Sequence, residues 1–228
     1  QVMNPLIIPL LAAVAQAASL IGAKIGITKR HISLRDYIPG LFLFLTITAL
    51  ISLIKLGDVN YSIVSERANL LRLFLIILVA AIWNVLFYKG VSKEKANTAE
   101  GIMVIMPLAT IAISWLFIPE NFSLPILVIG VSATALVAWA YSAHGRLYKI
   151  DKYALMLAAA VVLIGFENVL VSQLLSSNAL SPASLYALRA TVLFVLFYCI
   201  YRPRFSRVSK KHFSFLAISG VLGTTGML

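Results

Sequence analysis

Apolar residues along this chain gather into blocks about as long as a helix needs to cross a hydrocarbon core, roughly 20 residues. Each block runs until charged or turn-forming residues stop it. The blocks cover residues 5–23, 38–54, 70–88, 101–118, 122–143, 153–175 and 183–201, and another opens at 213. None alternates with the period of two that a half-buried strand shows. Backbone amides in lipid must be satisfied within their own segment, so the pattern predicts seven membrane-spanning helices and the start of an eighth.

The connections are short, and their charges are one-sided. Lys24, Lys29, Arg30 and Arg35 follow the first block, Lys89, Lys93 and Lys95 the third, Arg146, Lys149 and Lys152 the fifth, and Arg202, Arg204, Arg207, Lys210 and Lys211 the seventh. The alternate connections hold only Lys55, Arg67 and Arg72. Basic residues concentrate on the cytoplasmic side of membrane proteins, so this split predicts an external N-terminus and four cytoplasmic basic loops. A missed helix would scramble the alternation, which makes the charges a check on the span count as well.

Composition narrows the reading. The chain has 228 residues, of which 61% are hydrophobic and 12% charged, where an ordinary soluble domain is about 45–50% apolar. A net charge of +11 would suit a nucleic-acid surface if it were gathered on one polar face. Here it lies between apolar blocks, so a lipid bilayer and not nucleic acid is the expected partner. Cys199 is the only cysteine, which excludes a disulfide framework and a cysteine-based metal site. His31, His144 and His212 all sit in or beside basic loops, and neither a metal nor a cofactor is expected. Residues 5–23 carry no positive charge before them and Lys24, Lys29 and Arg30 after them. That is the reverse of a signal peptide and predicts a retained helix. The chain opens on Gln1 and closes at Met227-Leu228 inside an apolar stretch, and a fragment of a longer protein is expected.

Sliding the sequence on itself by 148 positions lays residues 8–34 on 156–182 without a gap, matching one span, one connection and Ser33 with Ser181. Transporter repeats commonly persist in hydropathy and turn position after residue identity has gone. A unit of 148 residues holds five spans, and an odd number makes the next copy enter from the opposite face. The expected organisation is a five-helix repeat over residues 1–148 and an inverted, truncated second copy over 149–228.

Several local features carry a resemblance to the drug/metabolite transporter superfamily, specifically the EamA-type domain. Leu180-Ser181-Pro182-Ala183-Ser184-Leu185-Tyr186-Ala187-Leu188-Arg189 resembles the segment leading into the second helix of a repeat. Met106-Pro107 is similar to the proline of the fourth helix, and Gly130-Val131 is similar to the Gly-Val of the fifth. Where the family often has Gly-Glu after the fourth helix, this chain has Ile118-Pro119-Glu120, and family members typically begin in the cytoplasm. The resemblance implies an all-α integral membrane protein of inverted five-helix repeats, with about seven and a half helices of ten present. It further implies a multi-pass transporter of small organic solutes such as metabolites or drugs, working by alternating access. The expected setting is the cell membrane, the inner membrane of a prokaryote.

Charges inside spans cost at least about 2.5 kcal/mol each near the bilayer centre, which singles out Glu167, beside Asn168, and Arg189. Asn178 lies eleven residues after Glu167 and eleven before Arg189. In an antiparallel hairpin the equal rise on both arms puts the two at one depth. A pair facing a substrate cavity and a static interhelical ion pair both fit that spacing, as does an Arg189 reaching to the interface. Glu167 in a low-dielectric cavity could also couple transport to protons.

Further polar positions recur at helical spacing: Gln16, Ser19 and Ala23; Asn84 and Tyr88, with Trp83 alongside; Met103, Pro107, Thr110 and Ser114. Such stripes line substrate paths, and equally they pack helix on helix. Pro107 is expected to free a carbonyl and bend its helix, and Trp139 and Tyr141 to anchor a helix end at the interface. No prenyl-transfer, nucleophile-elbow or His-Glu metal constellation is present, so no enzyme is expected. A membrane scaffold or assembly protein is the alternative to a transporter.

Overall fold

A computed structural model describes residues 14–15, 18–19, 21–29, 32–56, 66–94, 96–103, 105–117, 123–142, 151–205 and 210–225. The described chain is all-helical. A π-helical turn at Ile25–Lys29 precedes α1 (Leu34–Leu56), α2 (Arg67–Lys93), α3 (Ala96–Met103), α4 (Met106–Phe117), α5 (Leu124–Ser142), α6 (Lys152–Ser176), α7 (Pro182–Tyr201) and α8 (Lys210–Thr225).

Four helices, over Leu34–Lys55, Arg67–Lys93, Lys152–Ser176 and Pro182–Tyr201, are long and apolar enough to cross a membrane. At about 1.5 Å per residue, 20 residues reach the thickness of the hydrocarbon core. Their outer faces are oily too: α2 exposes Leu71, Phe74, Leu78 and Ile82, a stripe at helical spacing that water would penalise and lipid accommodates. The chain therefore has the make-up of a helical membrane protein. The expected first span falls largely outside the described residues, although 14–15, 18–19 and 21–24 are helical.

Over the expected helix of 101–118 the described residues form two helical segments. α3 ends at Met103 and α4 begins at Met106, with Ile105 in a turn whose N–H donates to Ile102 O at 3.1 Å. Pro107 accounts for the break: it has no N–H to return to the carbonyl four residues back, yet its fixed φ suits the first turn of a new helix. Pro107 stands in the first turn of α4.

Packing divides the chain into two compact units: Gln1–Ile63 with Asn178–Leu228, and Val64–Ser177. In the first, α1 lies against α7 and α8. Phe42 meets Phe197 at 5.0 Å between ring centres, and further along Ala49 packs with Tyr186, Ala187 and Ala190, so α1 and α7 run antiparallel. α8 comes close enough to α1 that a Cβ on Gly220 would stand 2.6 Å from Phe44 Cβ; small residues allow such contact between apolar helices.

The helix ends of this unit interlock. Arg35, in the first turn of α1, donates from Nε to Tyr201 O at 2.7 Å and from Nη2 to Arg202 O at 3.0 Å. A cation there offsets the negative end of the α7 dipole. Next to it, Asp36 Oδ1 accepts from the Arg204 N–H at 2.9 Å. Ser33 accepts from the Asp36 N–H, and Ser181 accepts from the Ser184 N–H at 3.2 Å ahead of Pro182. The two serines matched in sequence thus each cap a helix.

In the second unit α6 is the central element, contacted by α2, α3 and α4, while α5 packs chiefly on α4. Gly90 near the end of α2 faces Leu157 near the start of α6, and Trp83 reaches Glu167 further along, so these two helices are also antiparallel. Asp151 caps α6, its Oδ1 accepting from the N–H groups of Tyr153 and Ala154 at 2.8 and 2.9 Å.

Candidate functional site

Glu167 lies well inside α6 and is 2% exposed. Among the described residues it is the only Asp, Glu, Lys or Arg that is buried. Its carboxylate accepts a hydrogen bond from the Trp83 indole N–H of α2. Burying a carboxylate among apolar side chains is costly unless donors replace its water, and tryptophan brings one donor on a large apolar ring. The ring is held in turn by Phe87, one helical turn on, edge to face at 6.2 Å.

Asn84, next to Trp83 and also buried, turns its amide back to its own helix, Nδ2 donating to Ala80 O at 2.8 Å. Asn168 is exposed: one residue on from Glu167 is a rotation of about 100°, which carries its side chain off the buried seam.

Gly165 abuts α4. A Cβ there would stand 3.2 Å from Thr110 Cα and 3.0 Å from Ile113 Cδ1. Two residues along a helix is about 200°, so Gly165 and Glu167 look to opposite sides of α6: one to α4, the other to α2.

Beyond Thr110 a pocket of 420 Å³ opens between α4 and α5, lined by Thr110, Ile111, Ser114, Trp115, Ser123, Ile126 and Leu127. Ligand pockets commonly enclose about 300–1,000 Å³. Thr110 Oγ1 donates to Met106 O at 3.0 Å, which satisfies the hydroxyl proton and leaves its lone pairs toward the opening. Thr110 and Ser114 stand one helical turn apart, as the sequence stripe implies. Pro107 lies one turn earlier, where α4 begins, and is not among the lining residues.

Within the second unit the predicted residues gather at two places. Glu167 and Trp83 meet across the α2–α6 seam, with Asn84 adjacent, and Thr110 joins Ser114 in the α4–α5 pocket. Ser19 belongs to the other unit, where its hydroxyl donates to Ser219 O at 2.9 Å. Arg189 is half-buried on α7 of that unit. Gln16 lies outside the described residues, as do His31 and His144. Trp139 is exposed on α5. Sequence spacing missed Trp115, Ser123 and Gly165. Ser123 belongs to the helix opposite the Thr110 stripe, and no count along one helix finds it.

No family of known proteins, no curated protein and no solved structure matches this chain.

Proposed function

We propose that the chain is a multi-pass transporter of small organic solutes in the cell membrane, of the drug/metabolite transporter type, working by alternating access. The observation that carries this reading is Glu167: one buried acidic side chain, within a span, on the helix that α2, α3 and α4 pack against. An ionisable residue inside the membrane is expensive and is retained chiefly where ions or substrates pass. The helix broken between α3 and α4 supports it, because transporters place substrate sites at discontinuous helices near mid-membrane. The matched capping serines 33 and 181 accord with an internal repeat.

On this reading the partners are a solute and the lipid bilayer. Glu167 is the group through which protons couple to transport. The chemistry asks for no cofactor or metal: a carboxylate, an indole donor and hydroxyls bind by hydrogen bonding alone.

The test is flux in proteoliposomes over a panel of amino acids, nucleosides and cationic drugs, with and without a pH gradient, for the wild type and Glu167→Gln. The expected result is saturable flux of at least one class, driven by the gradient and lost in the variant. Absence of flux across the panel for protein that remains folded would overturn transport and favour a scaffold. Flux indifferent to Glu167→Gln at every pH would remove the acidic site.

A further inference from the structure

The α4–α5 pocket contains two features that packing alone does not require. Hydroxyls in membrane helices usually bond back to a carbonyl one turn earlier, and in this protein Thr48, Thr110 and Thr191 all do so. Ser114 and Ser123 depart from that habit: neither hydroxyl makes a hydrogen bond among the described residues, although both are half-buried and line the same pocket. Ser123 immediately precedes α5, the position from which a serine normally caps a helix, yet only its carbonyl engages the first turn, accepting from Leu127 N at 3.0 Å.

The second feature is charge. Among the described residues the pocket lining holds no acidic or basic side chain, and the buried carboxylate of Glu167 lies on the far side of α6. An ionised ligand group entering here would lose its water and gain no counter-charge, at a cost that hydroxyls cannot offset. Trp115 and the aliphatic side chains offer a face to an apolar ring instead, and indole suits a flat ring.

We infer that this pocket binds an uncharged molecule with a flat apolar body and one polar group able to both donate and accept hydrogen bonds, such as an amide, held by Ser114 and Ser123. That such a molecule is also cargo rests on the transport reading; that it binds does not. Glu167 then serves a different task from ligand recognition, since the two loci occupy opposite faces of one helix.

The experiment uses the full chain in lipid nanodiscs, in a Cys199→Ser background so that the introduced thiol is the only one. Ile126→Cys, on the pocket lining but not one of the two serines, is alkylated with N-ethylmaleimide in the presence of benzamide, benzoate or benzylammonium, three probes of one ring and similar size that differ in charge. Ala133→Cys, exposed on the same helix and outside the pocket, reports non-specific effects. Benzamide at twice its dissociation constant is expected to slow labelling at position 126 about threefold, as single-site occupancy requires, with benzoate and benzylammonium inert and position 133 unaffected. Leu127→Cys, also on the lining, repeats the measurement should the first variant fold poorly. Equal protection by all three probes, or none by benzamide at either position, overturns the inference. So does protection that follows lipid chain length instead, which would give the pocket to an acyl chain. Protection by benzamide without solute flux would end the transport reading and leave the site; flux without protection would do the reverse.

Discussion

Trp83 and Glu167, 84 positions apart in the chain, join α2 to α6 through an indole N–H that donates to a buried carboxylate. The bond sits on the seam between two antiparallel apolar helices. It therefore does two things at once: it lowers the cost of keeping an acid away from water, and it fixes how α2 and α6 are rotated against each other. Trp83 cannot be shifted by one residue without losing the donor, because neighbouring positions on a helix face about 100° apart.

Replacing either partner is expected to destabilise the protein in a coupled way. A hydrogen bond to a charged group is worth about 2 kcal/mol, so Trp83→Phe should lower stability by at least that amount, the lost ring volume adding to it. In Glu167→Gln the amide oxygen still accepts from the indole and the loss is smaller. Unfolding in detergent of Trp83→Phe, Glu167→Ala and the double variant forms a cycle. The expected coupling is about 2 kcal/mol for Trp83→Phe with Glu167→Ala, and additivity within about 0.3–0.5 kcal/mol would show that the bond contributes nothing.

How far this seam is legible in the sequence follows from the kind of information each step uses. Glu167 announces itself, because a carboxylate in an apolar block is conspicuous by cost alone. Its partner does not. Depth arithmetic works only within one hairpin, whereas α2 is brought to α6 from a distant part of the chain, and nothing in local spacing encodes that. The long helices follow from block length, and α1, α2, α6 and α7 appear where the apolar blocks are. The change of helix before Pro107 does not follow, since residues 101–118 carry no charge and only the missing N–H of proline marks the boundary. Ser181-Pro182 is the opposite case: a hydroxyl to cap and a fixed φ to begin a helix are both local properties, and α7 starts there.

Gly90 sets the distance between α2 and α6. A Cβ at this position would stand 2.5 Å from Leu157 Cγ and 3.2 Å from the Tyr153 carbonyl oxygen. The leucine tip can move but the backbone oxygen cannot. Gly90→Leu should therefore cost about 1–3 kcal/mol through overpacking, in spite of the better helix propensity of leucine. Leu157→Ala in the same chain should return only part of that loss. Thermal unfolding of the wild type and the two variants is the measurement, and a stabilised Gly90→Leu would contradict the close approach.

Ser181→Ala removes the hydroxyl that accepts from the Ser184 N–H and leaves that donor at the start of α7 without its cap. The expected loss is about 1 kcal/mol, with Ser181→Asp close to the wild type because a carboxylate caps as well and suits the positive helix end. Amide hydrogen exchange at residues 183–185 gives a local readout: faster exchange in the alanine variant and near-wild-type exchange in the aspartate variant. Equal exchange in all three would show that the hydroxyl is not the cap.

Asp151 makes the stability of α6 depend on pH in a predictable direction. The Ala154 backbone N–H, then a hydrogen bond donated by the Glu94 carboxyl, hold the Asp151 carboxyl below the usual value of 3.8; burial opposes them, and the Tyr153 N–H and the Lys152 ammonium add to the lowering. A folded-state pKa below the unfolded one means that the unfolded chain binds the proton more tightly. The stabilisation is therefore fully present above about pH 4, the unfolded range, and is lost as the pH falls through the depressed folded value. Asp151→Asn lacks this titration, though its side-chain oxygen still caps α6. The wild type should thus exceed the variant in Tm at neutral pH, and the gap should narrow as the solution is acidified below pH 4. A Tm difference that stays constant from neutral into acid would show that the charged form of Asp151 gives the folded state no advantage.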